Sequence, residues 1–311
     1  MADYHKIPLI VVAGPTASGK TALSVALCEK FNGEVVSADS MQIYKGLDVS
    51  SAKPTREEMR GIPHHMMSCI ERDVSFSVAD YCKAASQIIS DINSRGKLPV
   101  LVGGTGLYIS SLLENVEFSG EGADTSFREK MRERAEKEGN QALLDELKKI
   151  DPEAAQKLHP NNLGRIIRAL EVYELTGKTL TEHNRLSKLR PSPYDAKVIY
   201  LTVRDRQFLY DRINKRVDEM LENGMLEEAE NFDDSPDSTA SKAIGPKELK
   251  PYFDGILSFE EAVENVKRET RRYAKRQMTW FNRYDDYIRV HIDDFASFDE
   301  MLSHAAALIQ S

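Results

Sequence analysis

The segment 14–21, with the sequence GPTASGKT, constrains the fold of this chain more than any other feature. It follows the apolar run 7–13 and precedes residues 22–31, whose apolar positions recur at helical spacing. The order of strand, glycine-rich turn and helix is the context that a phosphate-binding loop requires. Glycines let backbone N–H groups surround an anion, and the helix N-terminus adds a partial positive charge. The alternative is an ordinary glycine turn between a strand and a helix.

Two residues at the end of this segment have side chains suited to polyphosphate. Lys20 can reach the outer phosphates, and the Thr21 hydroxyl can hold Mg²⁺. The pattern therefore predicts a polyphosphate site with Mg²⁺ as cofactor, although such a loop serves many different reactions. The residues predicted to surround the phosphates are Gly14, Pro15, Thr16, Ala17, Ser18, Gly19, Lys20 and Thr21.

The charge of the chain is unevenly distributed. The net charge of −8 argues mildly against a nucleic-acid partner. Residues 264–283, however, contain seven Lys or Arg against two Glu, and residues 162–190 contain six against three. Such basic faces can bind phosphates or can simply be solvated helix surfaces, and charge alone leaves both possibilities open.

Composition predicts a cytoplasmic protein. The 311 residues are 41% hydrophobic and 30% charged, which is typical of a soluble globular protein of about two domains. No apolar run approaches the ~20 residues of a membrane span, and residues 1–8 lack the apolar region of a secretion signal. The cysteines, Cys28, Cys69 and Cys82, have no metal-ligand spacing and are interpreted as reduced thiols. We expect a monomer with no membrane partner.

The hydrophobic pattern predicts one parallel sheet interrupted by helices. Residues 34–37, 98–102, 197–203 and 287–292 have strand patterns, and helices are expected over 77–95, with Ser77 as N-cap, and over 258–284. Residues 127–189 are almost wholly helical in pattern, with breaks at 151–152 and 159–162. The predicted fold is therefore α/β, a P-loop-type parallel sheet flanked by helices, with a helical insertion domain. The predicted domains are an α/β core, 1–117 and 195–311, and an insertion, 118–194.

Several residues outside the glycine-rich loop are candidates for chemistry. Asp39 follows a predicted strand, so it should lie near the loop at the carboxyl edge of the sheet. The strand 98–102 ends in Gly103 and Gly104 rather than the aspartate that holds Mg²⁺ in many nucleotide hydrolases, which argues against a conventional ATPase. The adjacent histidines His64 and His65 lack a third ligand and are interpreted as structural.

Taken together, these segments resemble the tRNA dimethylallyltransferase family, also called tRNA isopentenyltransferases. The match covers about residues 8–283 and is more specific than the loop alone. The segments that carry it are 14–21, 39–44, 52–54, 101–108, 165–171 and 270–277, with Trp280 and Phe281. Two departures stand out: Ser50 and Ser51 replace the usual Gly-Thr, and Pro246 replaces a tyrosine. Proline fixes φ and removes a hydrogen-bond donor, so position 246 differs from the family pattern in both backbone and side chain.

The resemblance implies transfer of a dimethylallyl group from its diphosphate to the exocyclic amine of an adenine next to the anticodon. Lys20, Thr105 and Arg216 would stabilise the departing diphosphate, with Arg212 as the substitute for Arg216. Asp39 would accept a hydrogen bond from the amine and act as base; the alternative is a capping carboxylate or one close to Mg²⁺.

The resemblance also implies that the anticodon stem-loop of tRNA is a partner, with dimethylallyl diphosphate as donor. The aromatic residues of the 258–284 helix are either core residues or platforms for base stacking. The residues expected to contact tRNA are Asp39, Ser40, Met41, Gln42, Arg128, Gly164, Arg165, Ile166, Ile167, Arg168, Lys275, Arg276, Gln277, Trp280 and Asn282.

Three other functions are compatible with the same loop. A nucleoside or nucleotide kinase would share the sheet and transfer a γ-phosphate. An isopentenyltransferase acting on free adenine nucleotides would lack the need for the helical insertion and for the 271–276 cationic cluster. A non-catalytic, nucleotide-dependent RNA-binding protein would bind an anticodon stem-loop without releasing diphosphate.

Overall fold

The computed structural model describes residues 6–116, 118, 125–232 and 238–310. Its contacts divide the chain into two compact units, which we call the α/β unit (Met1–Leu113 with Pro193–Ser311) and the helical unit (Glu114–Ser192). The sequence-based boundaries were placed at 117/118 and 194/195, and residue 117 lies outside the described residues.

A parallel sheet forms the centre of the α/β unit. Its strands are β1 (Ile7–Ala13), β2 (Gly33–Ser37), β3 (His64–His65), β4 (Leu98–Gly103), β5 (Tyr194–Thr202) and β6 (Ile288–His291). Within the described residues the sheet has six strands in the order β3-β2-β4-β1-β5-β6, and every neighbouring pair is parallel. The predicted P-loop-type fold is thereby confirmed, with β1 in the middle of the sheet between β4 and β5.

Helices surround the sheet and build the second unit. Those of the α/β unit are α1 (Lys20–Phe31), α2 (Arg56–Met59), α3 (Val78–Ser94), α4 (Gly106–Leu113), α10 (Arg206–Glu222), α11 (Met225–Glu230), α12 (Pro246–Phe253), α13 (Phe259–Phe281) and α14 (Phe298–Gln310). Those of the helical unit are α5 (Thr125–Glu138), α6 (Asn140–Ile150), α7 (Pro152–Gln156), α8 (Leu163–Thr176) and α9 (Leu180–Lys188). Short 3₁₀ turns span Ala240–Lys242 and Ile292–Asp294.

The two faces of the sheet bury alternate residues of each strand, as a strand covered on both sides must. Leu9 and Val11 of β1 pack toward α3, α4 and α13, in a cluster that includes Tyr81 and Phe281. Ile10 and Val12 pack on the other face against apolar residues of α1 and α14. This two-sided core fixes β1 and the loop that follows it. None of the described helices combines the length and apolar character needed to cross a bilayer.

Local capping explains where several helices begin. Ser77 accepts a hydrogen bond from the Asp80 N–H at 3.2 Å, which confirms it as the N-cap of α3. In the helical unit, Asp151 caps α7, whose first residue is Pro152, so the predicted break falls at the position where proline is best tolerated. The second predicted break is also confirmed, because α8 begins at Leu163.

Candidate active site

The glycine-rich loop connects β1 to α1 and packs tightly against the neighbouring strand. A Cβ atom on Gly14 would lie 2.6 Å from the carbonyl oxygen of Leu201 in β5, so only glycine allows this approach. Gly19 precedes α1 with φ 86°, a left-handed conformation that glycine adopts without strain. Inside the loop, the Lys20 Nζ donates a hydrogen bond to the Pro15 carbonyl at 2.7 Å. The Lys20 side chain therefore folds back onto the loop that precedes it.

The surroundings of Lys20 destabilise its positive charge. Its pKa is lowered to about 7, mainly by burial and also by the neighbouring Arg216, while Asp39 acts in the opposite direction. A bound anion stabilises a cation held in this way, and such a cation is typical of a binding site rather than of a structural ion pair.

Helix α10 brings two arginines to the glycine-rich loop. Arg216 Nη1 donates to the Thr16 hydroxyl at 3.2 Å, and Arg212 Nε donates to the Ala17 carbonyl at 2.8 Å. Burial also lowers the pKa of Arg216. The sequence left the choice between these arginines open; the structure places both beside the loop, and only Arg216 of the two lines the main cavity described below.

Asp39 lies just beyond the end of β2. Its Oδ1 accepts hydrogen bonds from the backbone N–H groups of Met41 at 2.8 Å and Gln42 at 3.3 Å. This turn orients the carboxylate, whose other oxygen, Oδ2, makes no hydrogen bond to any part of the chain that the structure describes. Asp39 and Lys20 line the same cavity. The order of strands explains this, because β2 and β1 both flank β4 and end at the same edge of the sheet.

Thr105 lies next to this wall. Its hydroxyl accepts a hydrogen bond from the Ser40 N–H at 3.0 Å and donates to the Ser40 hydroxyl at 3.3 Å. It therefore fixes the segment after Asp39. Tyr273 was considered from the sequence only as one of the aromatic residues of α13, and the structure places it in the lining of the cavity. Burial raises the pKa of its phenol, Asp39 adds to this effect, and the Thr105 hydroxyl opposes it.

These side chains meet in a cavity of about 400 Å³ in the α/β unit. One part of its wall is polar and charged, with Thr16, Lys20, Thr21, Asp39, Ser40, Gln42, Arg216 and Arg276. Another part is apolar, with Met67, Ile213, Val217, Met220, Met225, Ala243, Ile244 and Val266. A cavity with both kinds of wall can hold a molecule that has an anionic end and a hydrocarbon end.

Gln277 has a structural connection to the loop that its sequence position did not reveal. Its Oε1 accepts a hydrogen bond from the Thr16 N–H at 2.9 Å, and its Nε2 donates to the Gly104 carbonyl at 3.0 Å. The residue is only 5% exposed. Both ends of the amide hold the glycine-rich loop and the β4–α4 turn together, and Gln277 also lines the cavity, so its contact with tRNA stays a prediction.

The same packing explains why β4 ends in glycines. A Cβ on Gly103 would lie 2.1 Å from the Ala38 carbonyl oxygen, and a Cβ on Gly104 would lie 2.0 Å from Gln277 Nε2. A Cβ on Gly106 would lie 2.2 Å from the Trp280 ring. An aspartate at the end of this strand, as in nucleotide hydrolases, would therefore not fit.

Helix α13 exposes a cationic surface. Lys275, Arg276 and Asn282 are exposed, and Arg276 also lines the cavity. Phe281 is fully buried and is therefore a core residue, whereas Trp280 is half-buried with the Arg283 guanidinium 3.9 Å from its ring centroid. Base stacking on Trp280 stays a prediction.

The helical unit uses much of its predicted RNA-binding segment for its own stability. The side chains of Ile166 and Ile167 are buried in its core and have a packing role, and their contact with tRNA stays a prediction. Arg128 and Arg168 both form ion pairs with the fully buried Glu171. On the exposed surface of α8 are Gly164 and Arg165.

The side-chain oxygens that line the cavity can hold Mg²⁺ only together with oxygens of a bound substrate. Within the described ranges, no three His, Cys, Asp or Glu side chains are grouped to hold a metal ion. Thr21 and Asp39 nevertheless contribute a hydroxyl and a carboxylate to the lining of the same cavity. Mg²⁺ commonly takes one or two such protein ligands and completes its shell with phosphates and water. His65 instead pairs with Glu34 at 2.8 Å, which confirms the structural interpretation of that histidine.

The parallel sheet, the glycine-rich loop and the cationic cavity define a protein of the P-loop-type α/β class. A family model described as IPP transferase matches residues 42–284 of the chain. The chain therefore belongs to the IPP transferase family.

Individual relatives agree with this assignment over nearly the whole length. A tRNA dimethylallyltransferase from Thermoanaerobacter sp. (strain X514) is 52% identical over 299 residues, 95% of each chain. The crystal structure of the full-length tRNA isopentenylpyrophosphate transferase from Bacillus halodurans is 43% identical, with a TM-score of 0.71 and coverage of 98% of this chain and 97% of that one. A eukaryotic dimethylallyltransferase acting on tRNA is 31% identical, with a TM-score of 0.81, over 96% of this chain and 77% of that one.

Proposed function

We propose that this member of the IPP transferase family transfers a dimethylallyl group from dimethylallyl diphosphate to tRNA. The acceptor is the exocyclic amine of the adenosine immediately 3′ of the anticodon, and diphosphate is released. The observation that carries the proposal is one cavity lined by half-buried cations, a carboxylate and apolar side chains. These are the three environments that an anionic leaving group, an amine that loses a proton and a short hydrocarbon require.

The leaving group needs stabilisation because negative charge grows on the diphosphate as the carbon–oxygen bond breaks. The N–H groups of the glycine-rich loop, Lys20 and Arg216 can stabilise this charge. Arg216 already contacts Thr16, so its guanidinium is held beside the loop before substrate arrives. Thr105 is a further donor that the family resemblance implies.

Magnesium would be held by the Thr21 hydroxyl together with the diphosphate oxygens, and when bound it supplies charge neutralisation for the leaving group. The residues of the chain contribute the fixed part of this site. The Ser24 hydroxyl donates to the Thr21 carbonyl at 2.8 Å and supports the first turn of α1.

The acceptor amine must lose a proton as its nitrogen forms a bond to the dimethylallyl carbon. Asp39 is the candidate base, and its Oδ2 takes the proton. Because Oδ1 is engaged by the Met41 and Gln42 N–H groups, the carboxylate has a fixed direction without being neutralised by a cation. Charge balances, since the amine proton passes to Asp39 and the electron pair of the broken bond leaves with the diphosphate.

The adenine must leave the stacked anticodon loop to reach this carboxylate. Ser40, Met41 and Gln42 line the cavity next to Asp39 and would contact the extruded base. The exposed Lys275 and Arg276 of α13 would bind the RNA backbone, which makes tRNA binding sensitive to salt.

The test is to incubate the protein with dimethylallyl diphosphate, Mg²⁺ and unmodified tRNA, and to digest the RNA for mass spectrometry. We expect one adenosine, 3′ of the anticodon, to gain the mass of a dimethylallyl group, with one diphosphate released for each. Parallel reactions with adenosine monophosphate and with γ-labelled ATP plus small acceptors test the alternatives. Modification of the free nucleotide but not of tRNA, or transfer of the γ-phosphate, would overturn the proposal.

A further inference from the structure

Residues 48–52 form an irregular segment in the wall of the cavity, between β2 and α2. Ser50, Ser51 and Ala52 all line the cavity. Ala52 has φ 48°, a left-handed conformation that residues other than glycine adopt only when their surroundings hold them. The segment must therefore be fixed by contacts with other parts of the chain.

The carbonyl groups of this segment hold two residues of the proposed site. Gln42 Nε2 donates to the carbonyls of Ser51 and Ala52, both at 3.3 Å. Arg216 Nη2 donates to the Ala52 carbonyl at 3.4 Å, while its Nη1 reaches the glycine-rich loop. A shift of the segment would consequently move the leaving-group cation and a residue beside the acceptor base.

Glu228 of α11 holds the segment from the other side. Its Oε2 accepts hydrogen bonds from the N–H groups of Asp48 at 2.6 Å and Val49 at 2.8 Å, and its Oε1 accepts from Ser50 at 2.8 Å. Three successive N–H groups converging on one carboxylate form a concave anion site, and such charge-assisted bonds are stronger than neutral ones. Glu228 is about 180 residues away in sequence, so this contact is made only by the fold.

The side chain of Ser50 also indicates that the segment faces a ligand. Its hydroxyl is buried and has no hydrogen-bond partner in the parts of the chain that are described. A buried hydroxyl without a partner is costly, so it is expected where a bound molecule can satisfy it. Glu228 fixes the backbone of this same residue.

We propose that Glu228 is a positioning residue for the transfer reaction, acting through residues 48–52 on Arg216 and Gln42. The inference rests on the proposed function, because it assigns those two residues to the leaving group and to the acceptor base. Glu228 itself does not line the cavity. It sets the geometry of groups that do, which affects the transition state more than substrate binding.

The variant Glu228→Gln tests this with little change in volume. The amide keeps one acceptor oxygen but turns an NH₂ group toward backbone donors, so at least one of the three N–H bonds is lost. Lys53 remains as a second anchor, through Asp48 at 2.7 Å and the Ser68 hydroxyl at 2.8 Å, so the fold should survive. We expect kcat to fall about tenfold, with the KM for dimethylallyl diphosphate changed less than about twofold.

The control is Glu230→Gln, an exposed residue on the same helix, which should leave both constants unchanged. Thermal unfolding and amide exchange at residues 48–50 are measured on each variant: the Glu228 variant should exchange faster there and unfold as a single transition. A kcat within twofold of the wild type would overturn the inference. So would a loss of kcat that global unfolding of the Glu228 variant fully accounts for.

A double-mutant cycle identifies the route of the effect. In the Arg216→Lys background, which no longer offers the same fork of donors to the Ala52 carbonyl, Glu228→Gln should lower kcat by less than about threefold. A tenfold loss that persists unchanged in that background would contradict action through Arg216. An inactive wild type would refute the proposed function itself, whereas an active wild type with an unaffected Glu228 variant would refute only the positioning role.

Discussion

Two charged residues of the α/β unit, Glu34 and Lys20, have opposite surroundings. Glu34 is 2% exposed, and its carboxylate receives Arg95 at 2.6 Å, Lys97 at 2.8 Å and His65 at 2.8 Å. Lys20 is half-buried, its ammonium group donates to the Pro15 carbonyl at 2.7 Å, and its cationic neighbour Arg216 repels it. Glu34 is neutralised by the protein, whereas the cavity keeps its cations in excess.

The difference is visible in the pKa of each group. Hydrogen bonds from Arg95 hold the pKa of Glu34 well below its usual range, so the charged form is stabilised. Burial brings the pKa of Lys20 down to about 7, so its charged form is destabilised until an anion binds. A neutralised buried charge contributes to folding, and an uncompensated one in a cavity indicates a ligand site.

The largest predicted effect is that of changing Asp39, the carboxylate that lines the same cavity as Lys20. Asp39→Asn keeps an oxygen that can accept the Met41 and Gln42 N–H groups but cannot take a proton from the amine. We expect kcat for tRNA modification to fall by about 10² to 10⁴-fold, while the Kd for dimethylallyl diphosphate stays within a few-fold. Single-turnover assays and calorimetry measure the two quantities.

The control for Asp39 is the exposed Asp195, changed to Asn. It should leave turnover unchanged. Near-normal turnover of the Asp39 variant would mean that Asp39 only shapes the turn, as its capping bonds allow, and that another group accepts the proton.

The second prediction concerns Glu34, the carboxylate whose charge the protein neutralises. Glu34→Gln leaves Arg95, Lys97 and His65 without their shared anion, and we expect a loss of about 2–3 kcal/mol in the free energy of unfolding at pH 7. The figure is below the usual range for a buried pair because Arg95 and Lys97 are 39% and 34% exposed and therefore partly screened. Urea denaturation measures it, and catalytic constants of the folded variant should not change.

The pH dependence of that loss follows from the lowered pKa of Glu34. The stabilisation is fully present above the ordinary glutamate pKa of about 4.3 and is lost as the pH falls from there toward the folded-state value. The difference between wild type and variant should therefore be constant from about pH 6 to 8 and shrink below about pH 4. Asp91→Asn, which removes an exposed partner of Arg95, should cost less than about 1 kcal/mol. Equal losses for the two variants would contradict the comparison.

The sequence was sufficient for the longer elements and the loop because their signals are local, whereas α2, β3 and α12 were not predicted. Apolar alternation, the Ser77 cap and the break at Pro152 depend on neighbouring residues, and each is confirmed. The motif 14–21 likewise combines composition and order within one short segment. Pairing between distant residues has no such signal.

Gln277 and Glu228 show what was missed and why. A polar residue in the cationic stretch of α13 gave no indication that it would be buried against Thr16, 261 positions away. Glu228 lies in an acidic run that is indistinguishable from a solvated helix face. In both cases the hydrogen-bond partner is a backbone group, whose identity leaves no trace in composition. Only the packing of α11 and α13 beside the sheet brings these pairs together.

The third prediction uses the titration of Lys20 to sharpen the contrast with Glu34. In the free protein Lys20 has a pKa of about 7, and a bound diphosphate raises that value. Binding above pH 7 therefore requires proton uptake, so affinity should fall by nearly tenfold between about pH 7.5 and 8.5. Calorimetry with dimethylallyl diphosphate in buffers of different ionisation enthalpy measures both affinity and protons. Lys20→Arg, which stays charged, should flatten the profile, and the same slope in both proteins would refute the assignment.

The smallest predicted effect concerns the helical unit. It again compares a charge that is available to a ligand with a charge that the protein uses for its own stability. Arg165 is exposed and forms no ion pair within the described residues, whereas Arg128 is paired with the buried Glu171 at 2.8 Å. Arg165→Ala should weaken tRNA binding a few-fold, reduce the salt dependence by about one phosphate contact and leave the free energy of unfolding unchanged. Arg128→Ala should instead lower the stability of the unit by about 1–2 kcal/mol, because Arg168 still partly neutralises Glu171. Filter binding at several salt concentrations and urea denaturation distinguish the two variants. Equal losses of stability, or a wild-type salt slope for tRNA binding by Arg165→Ala, would contradict the prediction. Exposure would then not separate cations that bind RNA from cations that stabilise this unit.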